Sequence, residues 1–209
     1  MGGLKAGERV LIHAAAGGVG IAATQIASRI GGEIFGTSSG SKHEACLEQG
    51  VDHPIDYRTQ DFEAEVRRIT GGEGIDVAFD ALGPKSFRKD YRLLRDGGRL
   101  IMYGFIEGES AIGRNVPALL GVLARMPFAA SPWWKSLAVM NENKGVFGLN
   151  MLKWWDREGL DRVLQPLVEG LERGDFAPVV AESFTFDRAA DAHRMIAERR
   201  NIGKVVLTP

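Results

Sequence analysis

Arg9-Val10-Leu11-Ile12-His13-Ala14-Ala15-Ala16-Gly17-Gly18-Val19-Gly20, running on through Ile21 to Ile30 and Gly31-Gly32, is the stretch whose reading decides the fold. It opens as an apolar run of strand length. It closes as a helix whose apolar residues, Val19, Ala22, Ala23, Ile26, Ala27 and Ile30, recur at spacings of three and four. Between the two lies a glycine turn. Strand, glycine turn and helix is the context in which a G-x-G-x-x-G pattern binds a dinucleotide. The middle glycine lets backbone approach a pyrophosphate, the last lets the helix pack on the strand, and the helix N-terminus offers N–H groups to the phosphates. Gly17 and Gly20 hold the second and third positions, and Ala15 holds the first. Alanine is tolerated there if its φ stays negative. An ordinary β-α unit with a glycine turn shares the pattern, so the surrounding elements must decide.

Working outward, Glu33 to Ser38 reads as a second strand ending in Ser38-Ser39-Gly40-Ser41-Lys42. An NAD-preferring fold places a carboxylate near this point to accept from the ribose 2′-hydroxyl. Hydroxyls and a lysine instead suit a 2′-phosphate, which favours NADP(H) over NAD(H). Ser41 can also cap the next helix, and the two readings are compatible. Cys46 on that helix reads as a packed small hydrophobe, since no cationic motif surrounds it. Val51 to Tyr57 gives a third strand. Tyr57 at its end either lies against the ligand or is a half-exposed loop tyrosine.

Asp61 to Thr70 reads as a helix, with Phe62, Val66 and Ile69 on one face. Ile75 to Leu82 is a nearly all-apolar strand, as burial on both faces requires. After Gly83-Pro84 a helix carries Phe87, Tyr91 and Leu94, and Asp96-Gly97-Gly98 ends it. Arg99 to Gly104 is a fifth strand and Gly145 to Met151 a sixth. Strands alternating with helices imply an α/β fold with a doubly wound, parallel, six-stranded sheet and right-handed crossovers. The stretch from Phe105 to Asn143 breaks the rhythm. It holds an apolar helix, Val116 to Met126, then Pro127, Pro132 and Trp133-Trp134, and could cover a pocket, meet a partner or pack as a satellite. Trp154-Trp155 read as packing residues. Leu160, Val163, Leu164, Leu167, Val168 and Leu171 mark an amphipathic helix stopped by Gly174. From Ala177 the chain turns to a strand–helix–strand tail, with Asp187 as a helix cap and Lys204 to Leu207 as the last strand.

The 209 residues are 44% hydrophobic and carry a net charge of -1. No charge block calls for nucleic acid or a membrane surface. No apolar run reaches spanning length and no secretory signal opens the chain, so a cytoplasmic setting is expected. A single cysteine excludes an intramolecular disulfide and a multi-cysteine zinc knot within the chain. The four histidines show no metal-ligand spacing with Cys46, and His13 reads as a core-side residue. No metal site is expected.

His13 to Gly20, Ser41-Lys42, Gly74-Ile-Asp-Val-Ala-Phe-Asp80 leading to Gly83, Gly97 to Gly104 and Asn201-Ile-Gly-Lys-Val-Val-Leu207 together resemble the medium-chain dehydrogenase/reductase superfamily. Within it, the chain is most similar to the zinc-independent quinone oxidoreductase (zeta-crystallin-like) group. Trp133-Trp134 followed by Asn143 to Leu149 is similar to the synaptic-vesicle-membrane-protein branch. The resemblance implies a Rossmann domain over residues 1–176. It implies that the tail, residues 177–209, rejoins a GroES-like catalytic domain that this chain lacks. It also implies hydride transfer from NADPH to a quinone or activated C=C, without a catalytic metal.

Carried over by position, Ala16, Gly17, Gly18, Val19 and Gly20 would hold the pyrophosphate, and Ser38, Lys42 and Tyr57 the 2′-phosphate. Gly83, Gly104 and Phe105 would lie along the ribose and nicotinamide. Phe147, Gly148 and Leu149 would line the nicotinamide side, and Asn201 would reach over from the tail. Phe105 stands where polyketide enoyl reductases commonly place a lysine. No general acid stands out: Tyr91 and Tyr103 read as structural, and the catalytic residues stay unassigned. Two readings follow, a cofactor-binding part of a quinone or enone reductase, or a catalytically silent nucleotide-binding or interaction module. A minimal reductase would need residues 105–134 to form the pocket. An exposed sixth strand would pair with its copy through residues 146–149, giving a homodimer.

Overall fold

The computed structural model describes residues 2–106, 120, 136–151 and 159–209. Six strands, Arg9–Ile12 (β1), Glu33–Ser38 (β2), His53–Asp56 (β3), Ile75–Asp80 (β4), Leu94–Met102 (β5) and Gly145–Gly148 (β6), form one parallel sheet in the order β3-β2-β1-β4-β5-β6. The described helices are Gly18–Ile30 (α1), His43–Glu48 (α2), Phe62–Ile69 (α3), Pro84–Leu93 (α4), Ser136–Asn141 (α5), Gly159–Glu172 (α6) and Ala189–Ala197 (α7). Val180–Thr185 (β7) and Lys204–Thr208 (β8) make a separate parallel pair.

The central strands β1, β2 and β4 are buried almost end to end because both faces of the sheet are covered there. Val10 and Ile12 point to one side and pack with Ala27, Ile34, Val77 and Ile101. Leu11 points to the other and packs with Phe35, Ile55, Val66, Ala78 and Leu100. Local signals place the helices. Asp61 caps α3 by accepting from the Glu63 and Ala64 N–H groups, and arginines close its last turn, matching the helix dipole. Because the chain runs outward from β1 to β3 and then returns to β4, loops leave β1 and β4 in opposite directions. A crevice opens beyond their C-terminal ends.

Several boundaries differ from the sequence reading. The α4 helix stops at Leu93 and β5 begins at Leu94, running through Asp96-Gly97-Gly98 instead of starting after it. The pairing jumps from Ile75↔Leu94 to Val77↔Arg99, so the glycines form a bulge, with Gly97 at φ 79°. Ser41 does not cap α2; its hydroxyl meets Ser39 Oγ at 3.2 Å, and a 3₁₀ turn, Gly40–Lys42, leads in. Asp187 lies in a second 3₁₀ turn, and Arg188 holds the cap position of α7.

The face of α1 also differs. Gly20, Ile21, Thr24 and Ala27 are buried, while Val19 and Ile30 are exposed. Ala22 and Ile26 instead line an apolar cavity of about 280 Å³ shared with Leu167 and Leu171 of α6. The helix therefore serves the sheet with one stripe and α6 with another. Apart from Leu120, which is exposed, Val116 to Met126 lie outside the described residues, as do Pro127, Pro132, Trp133-Trp134 and Trp154-Trp155. No described helix is long and apolar enough to cross a membrane.

Candidate functional site

The turn between β1 and α1 is built by close contacts. Gly17 N–H donates to the Ala14 carbonyl at 2.8 Å, and Ala15 N–H donates to the Thr37 carbonyl at 2.9 Å. The left-handed residue is Ala14, at φ 52°, so Ala15 in the first fingerprint position escapes that strain. A Cβ on Gly20 would lie 2.3 Å from the Ala14 oxygen and 2.6 Å from the Ala15 Cα, which only glycine avoids. Gly17 precedes α1 with extended backbone. No side chain caps the helix, and no acidic residue stands in its first turn. That end is therefore a ready anion site.

The tail lies over this turn. Gly203, at φ 83°, donates its N–H to the Ala16 carbonyl at 2.9 Å and forms a parallel bridge with Gly17. The stem of Lys204 passes over Gly18, where a Cβ would sit 2.5 Å from it.

At the end of β2, Ser38 is buried and its hydroxyl donates to the Ser39 carbonyl at 3.2 Å. Lys42 Nζ donates to the Asn201 carbonyl at 2.6 Å. Partial burial lowers the Lys42 ammonium, and neighbouring Tyr57 works against this. Burial pushes the Tyr57 phenol up, but Arg199 and Arg58 bond to it and leave it below its usual value. Lys42, Tyr57 and Asn201 are thus brought together, with Arg58 and Arg199 joining them. Spacing along the chain gave no signal for either arginine. Tyr57 and Arg58 also border a cavity of about 510 Å³ with His13, Thr37, Leu82, Lys85 and Lys89.

Beyond β4 and β5 the chain segments nearly touch. A Cβ on Gly104 would lie 2.7 Å from the Ala81 Cβ. Gly83, at φ 143°, precedes α4, and its carbonyl accepts from Ser86 Oγ at 2.8 Å. Gly104, Phe105, Gly148 and Leu149 line a cavity of about 570 Å³ with Met102, Tyr103, Asn150 and Met151. Phe147 is not part of that lining; its ring lies over Gly145, and the residue is 42% exposed. Burial, with Asp80 nearby, pushes the Tyr103 phenol to about 12.

A buried polar cluster sits beneath the crevice. His13 Nδ1 meets Thr37 Oγ1 at 3.0 Å and Nε2 meets Asp90 Oδ1 at 3.0 Å, with Asp80 Oδ2 at 4.0 Å. Burial lowers the imidazole, while Asp80 partly offsets that. Burial pushes Asp80 to about 8 and Asp90 to about 7. Neither aspartate was singled out from sequence, although both stand where apolar residues are the rule: Asp80 ends a buried strand, and Asp90 follows Phe87 by three on the packed face of α4. His13 is core-side, as its place directly after β1 implies, but its partners were not readable.

A doubly wound parallel sheet whose first turn is glycine-lined, uncapped and free of acids defines a Rossmann-type dinucleotide fold. Residues 49–207 match the family described as zinc-binding dehydrogenase. The chain is 36% identical over 216 residues to the rat synaptic vesicle membrane protein VAT-1 homolog, covering 100% of this chain and 50% of that protein. It is 33% identical over 207 residues to the 2-haloacrylate reductase of a Burkholderia species, covering 99% and 57%. The quinone oxidoreductase structure from Pseudomonas syringae pv. Tomato DC3000 superposes with a TM-score of 0.76 at 25% identity, covering 99% and 58%. The chain belongs to the zinc-binding dehydrogenase family, within the medium-chain dehydrogenase/reductase superfamily of nicotinamide-dependent oxidoreductases. It spans about half the length of the curated relatives it matches.

The described residues fit the nicotinamide dinucleotide, through the close approach at Gly20 and the uncapped helix end. Toward a metal ion the described residues offer one close donor set, buried His13, Asp80 and Asp90, whose ligand atoms lie within 4.8 Å of one another, and no thiolate joins it. Cys46, the one cysteine, is buried in the core cluster, and burial pushes its thiol up.

Proposed function

We propose that this chain is the NADP(H)-binding part of a zinc-independent reductase that passes hydride to a quinone or an activated C=C. The observation that carries this reading is the end of β2. A serine and a half-buried lysine stand there beside Tyr57, Arg58 and Arg199, where a carboxylate would favour NAD(H). When bound, the nicotinamide supplies the hydride, and the protein supplies position and electrostatics.

Ala16 to Gly20 hold the pyrophosphate on the α1 dipole. Ser38, Lys42 and Tyr57 hold the 2′-phosphate, with Asn201 closing over it from the tail. Gly83, Gly104 and Phe105 lie along the ribose and nicotinamide, and Gly148 and Leu149 form the far wall of that cavity, with Phe147 at its edge. The acceptor class follows from the relatives named as a 2-haloacrylate reductase and a quinone oxidoreductase.

Residues 1–176 form the nucleotide domain, and residues 177–209 belong to a second, GroES-like catalytic domain supplied by further sequence. The protein works in the cytoplasm as a homodimer joined through residues 146–149, where β6 is the sheet edge. A second reading has one observation behind it. Among the described residues the phenol of Tyr103 is the one titratable side chain lining the cavity at Gly104, and it is held near 12, a poor proton donor at neutral pH. On that reading the chain alone binds cofactor without turnover.

Titration with NADPH and with NADH, followed by dihydronicotinamide fluorescence, tests both. NADPH is expected to bind at least tenfold more tightly than NADH. Lys42→Gln is expected to weaken NADPH about tenfold and leave NADH unchanged. Equal affinities would remove the NADP(H) assignment, and absence of binding would remove the cofactor reading of the isolated chain. Added quinones or enones then separate turnover from silent binding.

A further inference from the structure

The turns at the crevice are tied together by groups lying beneath it. Thr37 Oγ1 accepts from the Ala14 N–H at 3.3 Å, so its own hydrogen is available to His13 Nδ1 at 3.0 Å. The imidazole then carries its proton on Nε2 and donates to Asp90 Oδ1 at 3.0 Å. Asp80 Oδ1 accepts from the Leu82 N–H at 2.5 Å. This leaves Asp80 Oδ2 and Asp90 Oδ2, both fully buried and both without another partner. One oxygen of each carboxyl lies within 4.8 Å of the other and of a His13 ring nitrogen, a spacing that could hold a metal ion as well as a proton. Two buried carboxylates side by side cannot both stay ionised, and one proton between them satisfies both orphan oxygens.

Each member adjoins a different crevice turn. His13 leads into Ala14–Gly17, and Thr37 immediately precedes Ser38. Asp80 leads into Ala81–Gly83, and its backbone carbonyl accepts from the Tyr103 N–H at 3.0 Å, just ahead of Gly104. Asp90 lies on α4, whose N-terminus is Gly83. The other charged or titratable groups facing the cluster are Asp61 and Glu63 of α3, Lys89 of α4 and Tyr103. Lys89 is held by Asp61 at 2.5 Å, and its charge acts on Asp90 against the larger effect of burial.

We propose that His13, Asp80 and Asp90 form a one-proton latch that holds these turns in register, which makes Asp90 a positioning residue for cofactor binding. The second half of this statement rests on the reading that the crevice takes a nicotinamide dinucleotide. A hydrogen-bonding amide can replace the protonated member of the pair; an apolar side chain cannot.

The test compares wild type, Asp90→Asn and Asp90→Leu for NADPH affinity from pH 6 to 9, with carboxyl ¹³C spectra of the unliganded protein. Asp90→Asn is expected to bind within threefold of wild type at pH 6 and to lose the alkaline weakening that wild type shows. Asp90→Leu is expected to bind at least tenfold more weakly. A well-folded Asp90→Leu protein with wild-type affinity overturns the proposal. So does an Asp90→Asn protein that keeps the wild-type pH profile, which decides the matter if Asp90→Leu does not fold. A stoichiometric metal ion in purified wild type, absent from Asp90→Asn, also overturns it. The two readings fail separately. Carboxyls of Asp80 and Asp90 that titrate together near neutrality, in a chain binding neither nucleotide, sink the cofactor reading and keep the latch. Ordinary carboxyl titration in a chain that binds NADPH sinks the latch and keeps the cofactor reading.

Discussion

The inner strands β2, β1 and β4 and the outer region of β6, α6 and the tail use similar amphipathic patterns to different ends. In the inner region the apolar residues find partners within the chain: Val10, Leu11, Ile12, Ile34 and Phe35 are all 0% exposed. In the outer region Leu164, Leu171, Phe147, Val180 and Phe186 remain exposed, the last by 61%. A periodic apolar stripe therefore states that a face wants cover, without stating that the same chain supplies it. These exposed side chains lie on α6, β6, β7 and the turn after it, and a partner surface would cover them. That agrees with a chain matching about half of its relatives' length.

The contrast can be broken by experiment. Its strongest form is Phe35→Ala, which opens a cavity against Ile55, Val66 and Leu100 and should cost about 4 kcal/mol by urea unfolding. A cost below about 1 kcal/mol would show that the inner core is loose. The Asp80–Asp90 pair gives an intermediate effect. Carboxyls raised on folding bind a proton that the unfolded chain, with a pKa near 3.9, has already lost. Their stabilisation is complete at acid pH and is lost as pH rises through about 7 to 8. Between pH 5 and 7 this pair should lower stability by about 1.4 kcal/mol per pH unit, seen as faster amide exchange in β1 and β4. A flat profile in those strands would show that no proton is shared. The smallest effect is at the outer end: Phe186→Ala should change stability by less than about 0.5 kcal/mol. A larger loss would mean that this face is already covered.

The sheet was legible in the sequence because its signals are local. Short apolar runs bounded by glycine give strands, and the alternation with helices gives a parallel, doubly wound sheet. The bulge at Gly97 was not legible, because a glycine pair after an aspartate reads as a stop, and only the jump in pairing with β4 shows a strand passing through it. The split face of α1 was missed for a related reason. Ile21 and Thr24 face the sheet, while Ala22 and Ile26 face α6, and periodicity cannot say how many neighbours a helix has.

At the crevice, the glycines were readable because close approach leaves one residue type. Lys42, Tyr57 and Asn201 were readable through resemblance, and the structure brings them together. Arg58, Arg199, Asp80 and Asp90 carry no spacing rule, since their relation exists only after distant strands and helices pack.

The seam between the tail and the first turn has a consequence for biosynthesis. Lys42 bonds to Asn201 across 159 residues, and Ala16 accepts from Gly203. Contacts that close so long a loop form late in folding. The inner sheet can condense on a ribosome while the crevice remains open along one side, until Asn201 and Gly203 emerge and dock. A nascent chain halted just before Asn201 would keep its core sheet and lose the lysine's anchor. Nucleotide capture would then report that the tail had docked.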